Sequence, residues 1–144
     1  MKIDNNIIEF IKNQHVLSLS VLLPDNQLSA CNVFYVFDDQ QMCLYFLTEL
    51  KTQHAKAMLT HPQVVGTINV TPKNILHIQG IQFKAVATQL TDQPAKQAYS
   101  LYYRAFPFAR IMRAPIWSLT LQQIKMTNNL LGFAHKTYWQ RQSS

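Results

Sequence analysis

Apolar residues near the start of the chain recur at helical spacing. Ile7, Ile8, Phe10 and Ile11 follow Asp4, a residue able to cap, and the pattern predicts a short lid helix ending near Asn13. From His15 the period drops to two: Leu17, Leu19, Val21 and Leu23 alternate with Ser18, Ser20 and Leu22, and Pro24, Asp25 and Asn26 supply a turn. Strands are predicted over 27–37 and 42–48 with Asp38, Asp39 and Gln40 between them, so that the first three strands form a meander. Residues 55–60 read as a short helix stopped by Pro62, and strands follow over 64–70 and 75–90, the second long enough to bend at Gly80. Asp92 opens a longer helix that places Ala95, Ala98, Leu101, Tyr102 and Ala105 on one face. Pro107 and Pro115 bracket an irregular or short helical link, and two last strands, 116–126 and 130–138, meet at Asn128 and Asn129.

Helices inserted between antiparallel hairpins, rather than alternating with single strands, favour an α+β fold built on a small closed or split barrel. Composition agrees with one domain over 1–144, since 48% of the residues are hydrophobic and 14% charged. No apolar run approaches the roughly 20 residues of a membrane span, and the opening MKIDNNIIEF is not patterned as a signal peptide, so a cytoplasmic protein is expected. Cys31 and Cys43 form no paired framework for a disulfide scaffold or a zinc site. The 3 glycines, Gly66, Gly80 and Gly132, exclude a Walker loop and a GxGxxG fingerprint.

Charge divides the chain. Residues 1–50 carry two basic and six acidic side chains, whereas 51–144 carry eleven basic and one acidic, and the whole has a formal net charge of +6. The cations stand singly rather than in a tract, which disfavours nucleic acid as the partner. A phosphorylated small ligand accounts for such a basic half equally well.

The segment TELKTQHAK, 48–56, gathers the chemistry: two hydroxyls, two lysines and an imidazole where a strand ends and a helix begins. Free N–H groups at a helix start suit an anion, while a simpler reading has Thr52 cap the helix and leaves the lysines solvated. From composition alone, capping outweighs ligand binding by roughly two to one. His15, His54, His61, His77 and His135 include no HxxxH or HxH pair, so no metal site is expected. With no G-x-S-x-G elbow and only Glu9 and Glu49 as glutamates, a hydrolase is disfavoured. The aromatic residues of the strands read first as barrel core and dimer packing.

Together the motifs CNVFYVFD (31–38), TELKTQHA (48–55), GTINVTPK (66–73), QGIQFKAVA (79–87), FPFARIMRAPIW (106–117) and IKMTNNLLGFAHKTYW (124–139) resemble the YhbP-like family. That family is grouped with the pyridoxamine 5'-phosphate oxidase-like FMN-binding split barrels, and the resemblance runs through nearly the whole chain in order. It implies an antiparallel split β-barrel of six to seven strands with two to three helices, a homodimer, and flavin sites in clefts shared between subunits. In the superfamily a Ser-x-Lys element ten residues ahead of an Asn/Asp-Pro pair holds the flavin phosphate. Counted back from Pro62, the element falls on Thr52-Gln53-His54, so the resemblance assigns the phosphate to Thr52 and His54. Lys51 and Lys56 stand close enough to replace the missing lysine charge. Phe46, Leu47 and Thr48 match the strand end that lies along the flavin ring.

Two departures narrow the implied activity. The second strand, SACNVFYVF, lacks the arginine that reaches the flavin phosphate in the oxidase, and the arginine-rich C-terminal element that grips pyridoxine phosphate is absent. The expectation is an FMN-binding protein, an oxidoreductase on an unknown small substrate, and not a pyridoxamine-phosphate oxidase. The alternatives are a non-enzymatic module binding nucleic acid or an acidic partner, and a split barrel that binds heme or has lost its cofactor.

Overall fold

In the structure, a computed structural model describing residues 3–143, the first helix α1 (Asn5–Asn13) starts where the Asp4 carboxylate accepts the Asn6 N–H. It turns Ile7, Phe10 and Ile11 into the core. β1 (Val16–Leu22) turns into β2 (Leu28–Phe34) through Asn26, which takes a positive φ of 67°, and Asp25, whose carboxylate accepts the Gln27 N–H. There follow β3 (Val36–Asp38), β4 (Cys43–Leu47), α2 (Gln53–Thr60), β5 (Gln63–Asn69), β6 (Gln79–Gln89), α3 (Asp92–Ala105), β7 (Ile116–Asn128) and β8 (Lys136–Gln140).

Every pairing is antiparallel, in the order β2-β1-β5-β6-β7-β4-β3. The two ends of that sheet, β2 and β3, are successive in the chain with only Tyr35 between them, so the sheet curls back on itself. Counted as one bent strand, β2 and β3 complete a six-stranded antiparallel ring. This is a split barrel with three α-helices, as the sequence implied. β8 is an addition to it: β7 gives one edge to β6, and shares the other between β4 (at 116–120) and β8 (at 123–127).

The predicted strand over 27–37 therefore breaks, and the meander with it. Tyr35 donates its N–H to His15 O (2.9 Å) and its hydroxyl to Ile11 O (2.6 Å), and its ring is buried inside. Beyond it the chain leaves β1 and pairs with β4. The predicted strand over 75–90 also shortens. Asn74 accepts the Leu76 N–H and winds 75–77 into a 3-10 turn, and the irregularity falls between Lys84 and Ala85 rather than at Gly80. Thr91 holds the N-cap position of α3 without a side-chain cap hydrogen bond, Asp92 is already inside the helix at a positive φ of 56°, and Ala105 lies exposed. The last hairpin does not turn tightly at Asn128 and Asn129. A 3-10 turn over Asn129–Leu131, Gly132 at φ 130° and Ala134 at φ 59° delay β8 to Lys136.

The barrel interior is filled by Leu17, Leu19, Leu44, Phe46, Ile68, Ile81, Phe83, Leu119 and Ile124, with α1 and α2 adding Phe10, Ile11 and Met58. On β7 the inward set shifts from odd (Trp117, Leu119, Leu121) to even (Ile124, Met126) because Gln122 is an extra residue opposite the Lys84–Ala85 step of β6. Gly66 faces this interior where a Cβ would overlap the Phe83 ring and the Ser18 carbonyl. A smaller cluster lies outside the ring, where Ala98 and Tyr102 of α3 cover Ile116, Val36, Tyr45 and Leu47.

Candidate functional site

The strand end and helix start picked out by the sequence come together. β4 runs out at Leu47, and Thr48 continues it by donating its N–H to Pro115 O (3.0 Å). Thr52 then caps α2: its hydroxyl oxygen accepts the Ala55 N–H (3.2 Å), and its hydroxyl donates to Glu49 O (2.9 Å). The capping reading of Thr52 is thus realised in the fold, and its proton is spent locally.

Thr48 bridges to the imidazole. Its Oγ1 lies 2.6 Å from His54 Nε2 and 3.4 Å from Thr52 Oγ1. Thr48 is buried and His54 half-buried, and burial pushes the His54 imidazole below its usual range, so it is neutral at pH 7. Two proton arrangements satisfy the Thr48–His54 contact. Either Nε2–H donates to Thr48, or the Thr48 hydroxyl donates to Nε2 and Nδ1 carries the proton, free to donate outward. Only the first also leaves the Thr48 proton for Thr52, whose own goes to Glu49 O.

As first-turn residues, Gln53 and His54 have N–H groups without intrahelical acceptors, and these are the donors left for an anion. Lys51 and Lys56 are exposed, and neither takes part in the hydrogen-bonded trio. Phe46 is wholly inside the barrel and can present only backbone to a ligand, while Leu47 is half-buried beneath α3. Trp117, the register partner of Phe46, is 1% exposed with an indole N–H that has no hydrogen-bond partner among the described residues. No carboxylate, thiol or imidazole cluster suited to a metal occurs among the described residues, and none of their helices is long and apolar enough to cross a membrane.

Sequence reasoning missed two contacts, one at this site and one at the opposite end of β4. One is Pro115, treated only as a boundary of the link, whose carbonyl holds Thr48. The other is Arg141, to which the sequence assigned no role. Its guanidinium donates to Leu121 O (2.8 Å), Gln41 O (2.8 Å) and Met42 O (3.1 Å), tying the end of β8 to the β7 bulge and the β3–β4 turn. Carbonyl acceptors carry no side-chain signature, so no sequence pattern announces either contact.

The chain is 44% identical over 138 residues to a UPF0306 protein of Yersinia enterocolitica, covering 96% of this chain and 93% of that one. A UPF0306 protein of Serratia proteamaculans is 44% identical over 135 residues. Comparison with protein-family models gave no match. Among solved structures, a heme binding protein from Mycobacterium smegmatis superposes with a TM-score of 0.78 at 14% identity, over 91% of this chain and 55% of its own length. HutZ, the heme storage protein from Vibrio cholerae, gives 0.72 at 16% identity, over 89% and 95% of the two chains. A FAD-binding protein from Mesorhizobium loti gives 0.70 at 11% identity, over 87% and 94%. At these identities the likeness is one of fold.

Proposed function

The chain belongs to the UPF0306 family, and from that membership, its split barrel and the start of α2 we propose that it binds a flavin, FMN, and acts with it as an oxidoreductase on a small substrate. The observation that carries the reading is the juxtaposition of unused N–H groups at the start of α2 with the Thr48–His54 pair at the end of β4. The YhbP-like motifs assign the phosphate to this same place.

The residues present fit a phosphate in donor chemistry. Gln53 N–H, His54 N–H and, when Thr48 donates to Nε2, His54 Nδ1–H are the donors that this helix end offers, with Lys51 and Lys56 adding positive potential. Leu47, Thr48 and the Phe46 backbone would border the ring. Flavin, when bound, would supply the electron transfer. The chain's residues bind, orient and exclude water, which agrees with a site holding no carboxylate pair and no activated nucleophile. Thr52 contributes by fixing the helix start rather than by offering its own proton.

A homodimer in the cytoplasm belongs to the same reading. Phe34, Phe108, Ile111 and Phe133 stand exposed, large apolar side chains that a partner subunit would cover. Heme is the competing cofactor because two fold relatives are named for it. His54 Nε2 is engaged by Thr48, which disfavours that nitrogen as an axial ligand.

An absorption spectrum of freshly purified protein, followed by titration with FMN, riboflavin and hemin, tests the reading. Flavin absorbance, or FMN bound more tightly than riboflavin, supports it. A heme spectrum with no response to either flavin replaces it with the heme reading, and indifference to all three removes the cofactor.

A further inference from the structure

A second feature lies on the outer face of the sheet and shares no residue with the candidate site at the start of α2. A cavity of about 720 Å³ opens over β1, β5, β6, β7 and β8. The strand registers arrange its outward side chains as two parallel rows. One row runs Ser18, Thr67, Gln82, Lys125, Tyr138, and the other runs Ser20, Val65, Lys84, Gln123, Gln140, each residue directly paired with its neighbour on the next strand. These ten residues all line the cavity.

The centre of this grid is a two-by-two square on β6 and β7. Gln82 faces Lys125 and Lys84 faces Gln123, so the two lysines sit on one diagonal and the two amides on the other. Diagonal neighbours on adjacent strands have Cα atoms roughly 7–8 Å apart, which places both ammonium groups within reach of a single anionic group. Among the described residues no carboxylate lines the cavity, and neither lysine forms a salt bridge. Ser18 donates to Asn32 Oδ1 (2.7 Å); among the described residues the other side chains of the grid have no hydrogen bond within the chain. Tyr138, directly opposite Lys125, is 67% exposed and gives the grid an aromatic face at its β8 side.

We propose that this trough is a binding site for a phosphorylated ligand with a planar ring, of nucleotide size, its phosphate held between Lys84 and Lys125 and its ring against Tyr138. Two cations brought together without a counter-charge repel, and a bridging phosphate converts that repulsion into charge-assisted hydrogen bonds. The amides of Gln82 and Gln123 and the hydroxyls of Ser20 and Thr67 are uncommitted donors and acceptors for the rest of the ligand. A cavity of this volume falls within the range that accommodates such a molecule. The site stands independently of the flavin reading.

The test uses adenosine 5'-monophosphate and adenosine as probes, read by calorimetry and by amide chemical shifts. Wild-type protein is expected to bind the monophosphate at least tenfold more tightly than adenosine, with shifts on 82–84, 123–125 and 138–140. The double variant Lys84→Gln, Lys125→Gln should abolish that preference, Tyr138→Ala should weaken both probes alike, and the Thr52→Ala, His54→Ala pair should leave both unchanged. A single-stranded oligothymidylate separates the source of the phosphate: tighter binding with a steep salt dependence that needs the same two lysines makes it a nucleic-acid phosphate and keeps the site. The proposal is overturned if neither probe binds, or if the double variant binds the monophosphate as well as wild type does. It is also overturned if Val65→Arg turns a dimer into a monomer while the probes shift nothing on this face, because the trough is then an interface between copies.

Discussion

Thr48 Oγ1 and His54 Nε2 lie 2.6 Å apart across the junction of β4 and α2, and through this pair a neutral imidazole is fixed at a helix start. For the His54 side chain to donate to a phosphate, Thr48 must be the donor to Nε2, since only then does the neutral ring bear a proton on Nδ1. Nitrogen-15 spectra of the imidazole at pH 7 should show the Nδ1–H form, and an Nε2–H form would remove the His54 side chain, though not its backbone N–H, from the phosphate site.

Burial lowers the folded-state pKa of His54 below the ordinary 6.5, so on acidification the unfolded chain takes up this proton before the folded one does. Its contribution to stability is complete above pH 6.5 and declines as the pH falls toward the folded-state value. The melting temperature of wild type should therefore drop between pH 7 and pH 5, and His54→Gln should flatten part of that slope. An unchanged slope would mean that His54 is not the titrating group.

Thr52→Ala removes the cap of α2 and should cost about 1 kcal/mol in urea unfolding. Combined with His54→Ala it should weaken FMN about tenfold or more relative to riboflavin, because each charge-assisted hydrogen bond to phosphate contributes roughly 1.5–3 kcal/mol. Equal weakening of the two flavins would leave capping as the whole role of these residues.

Arg141→Lys keeps the charge and loses the fork that spans three carbonyls. Unfolding free energy should fall by about 1–3 kcal/mol, and amide exchange should accelerate in 136–140 first. Exchange that accelerates uniformly would show that β8 is not held separately by this contact.

Much of the fold was legible because barrel strands carry strict alternation. Leu17, Leu19 and Val21 announce β1, and even the β7 bulge is written in the change from Leu119 and Leu121 to Ile124 and Met126. The break at Tyr35 was not legible. Val33, Phe34, Tyr35, Val36 and Phe37 are all good strand formers, and what divides them is the pull of the Ile11 carbonyl on one hydroxyl, a contact 24 residues away. The turn at 75–77 failed for a similar reason, since Ile75, Leu76 and Ile78 look like buried strand yet stand exposed. At the site, the cap was legible from Thr52 alone, whereas the link to Pro115 needs the tertiary structure. The grid on the outer face is not legible in the sequence because its ten residues come from five separated segments, and only the registers set Lys84 beside Lys125.

Tyr35→Phe removes the hydroxyl that the Ile11 carbonyl accepts inside the core and should cost about 1–2 kcal/mol, read by urea unfolding with faster exchange in α1. A variant as stable as wild type would show that the ring alone, and not its hydroxyl, keeps α1 on the barrel.

The ring closed through Tyr35 also dictates an order of assembly as the chain leaves the ribosome. The bent strand needs β1 on one side and β4 on the other, both available early, yet β1 must wait for β5 and β4 must wait for β7. Until residues 116–120 emerge, β4 has only the three residues of β3 to pair with. The first hundred or so residues therefore emerge as an open, strand-rich intermediate, and a nascent chain stalled before β7 should depend on chaperone protection that the finished barrel does not need.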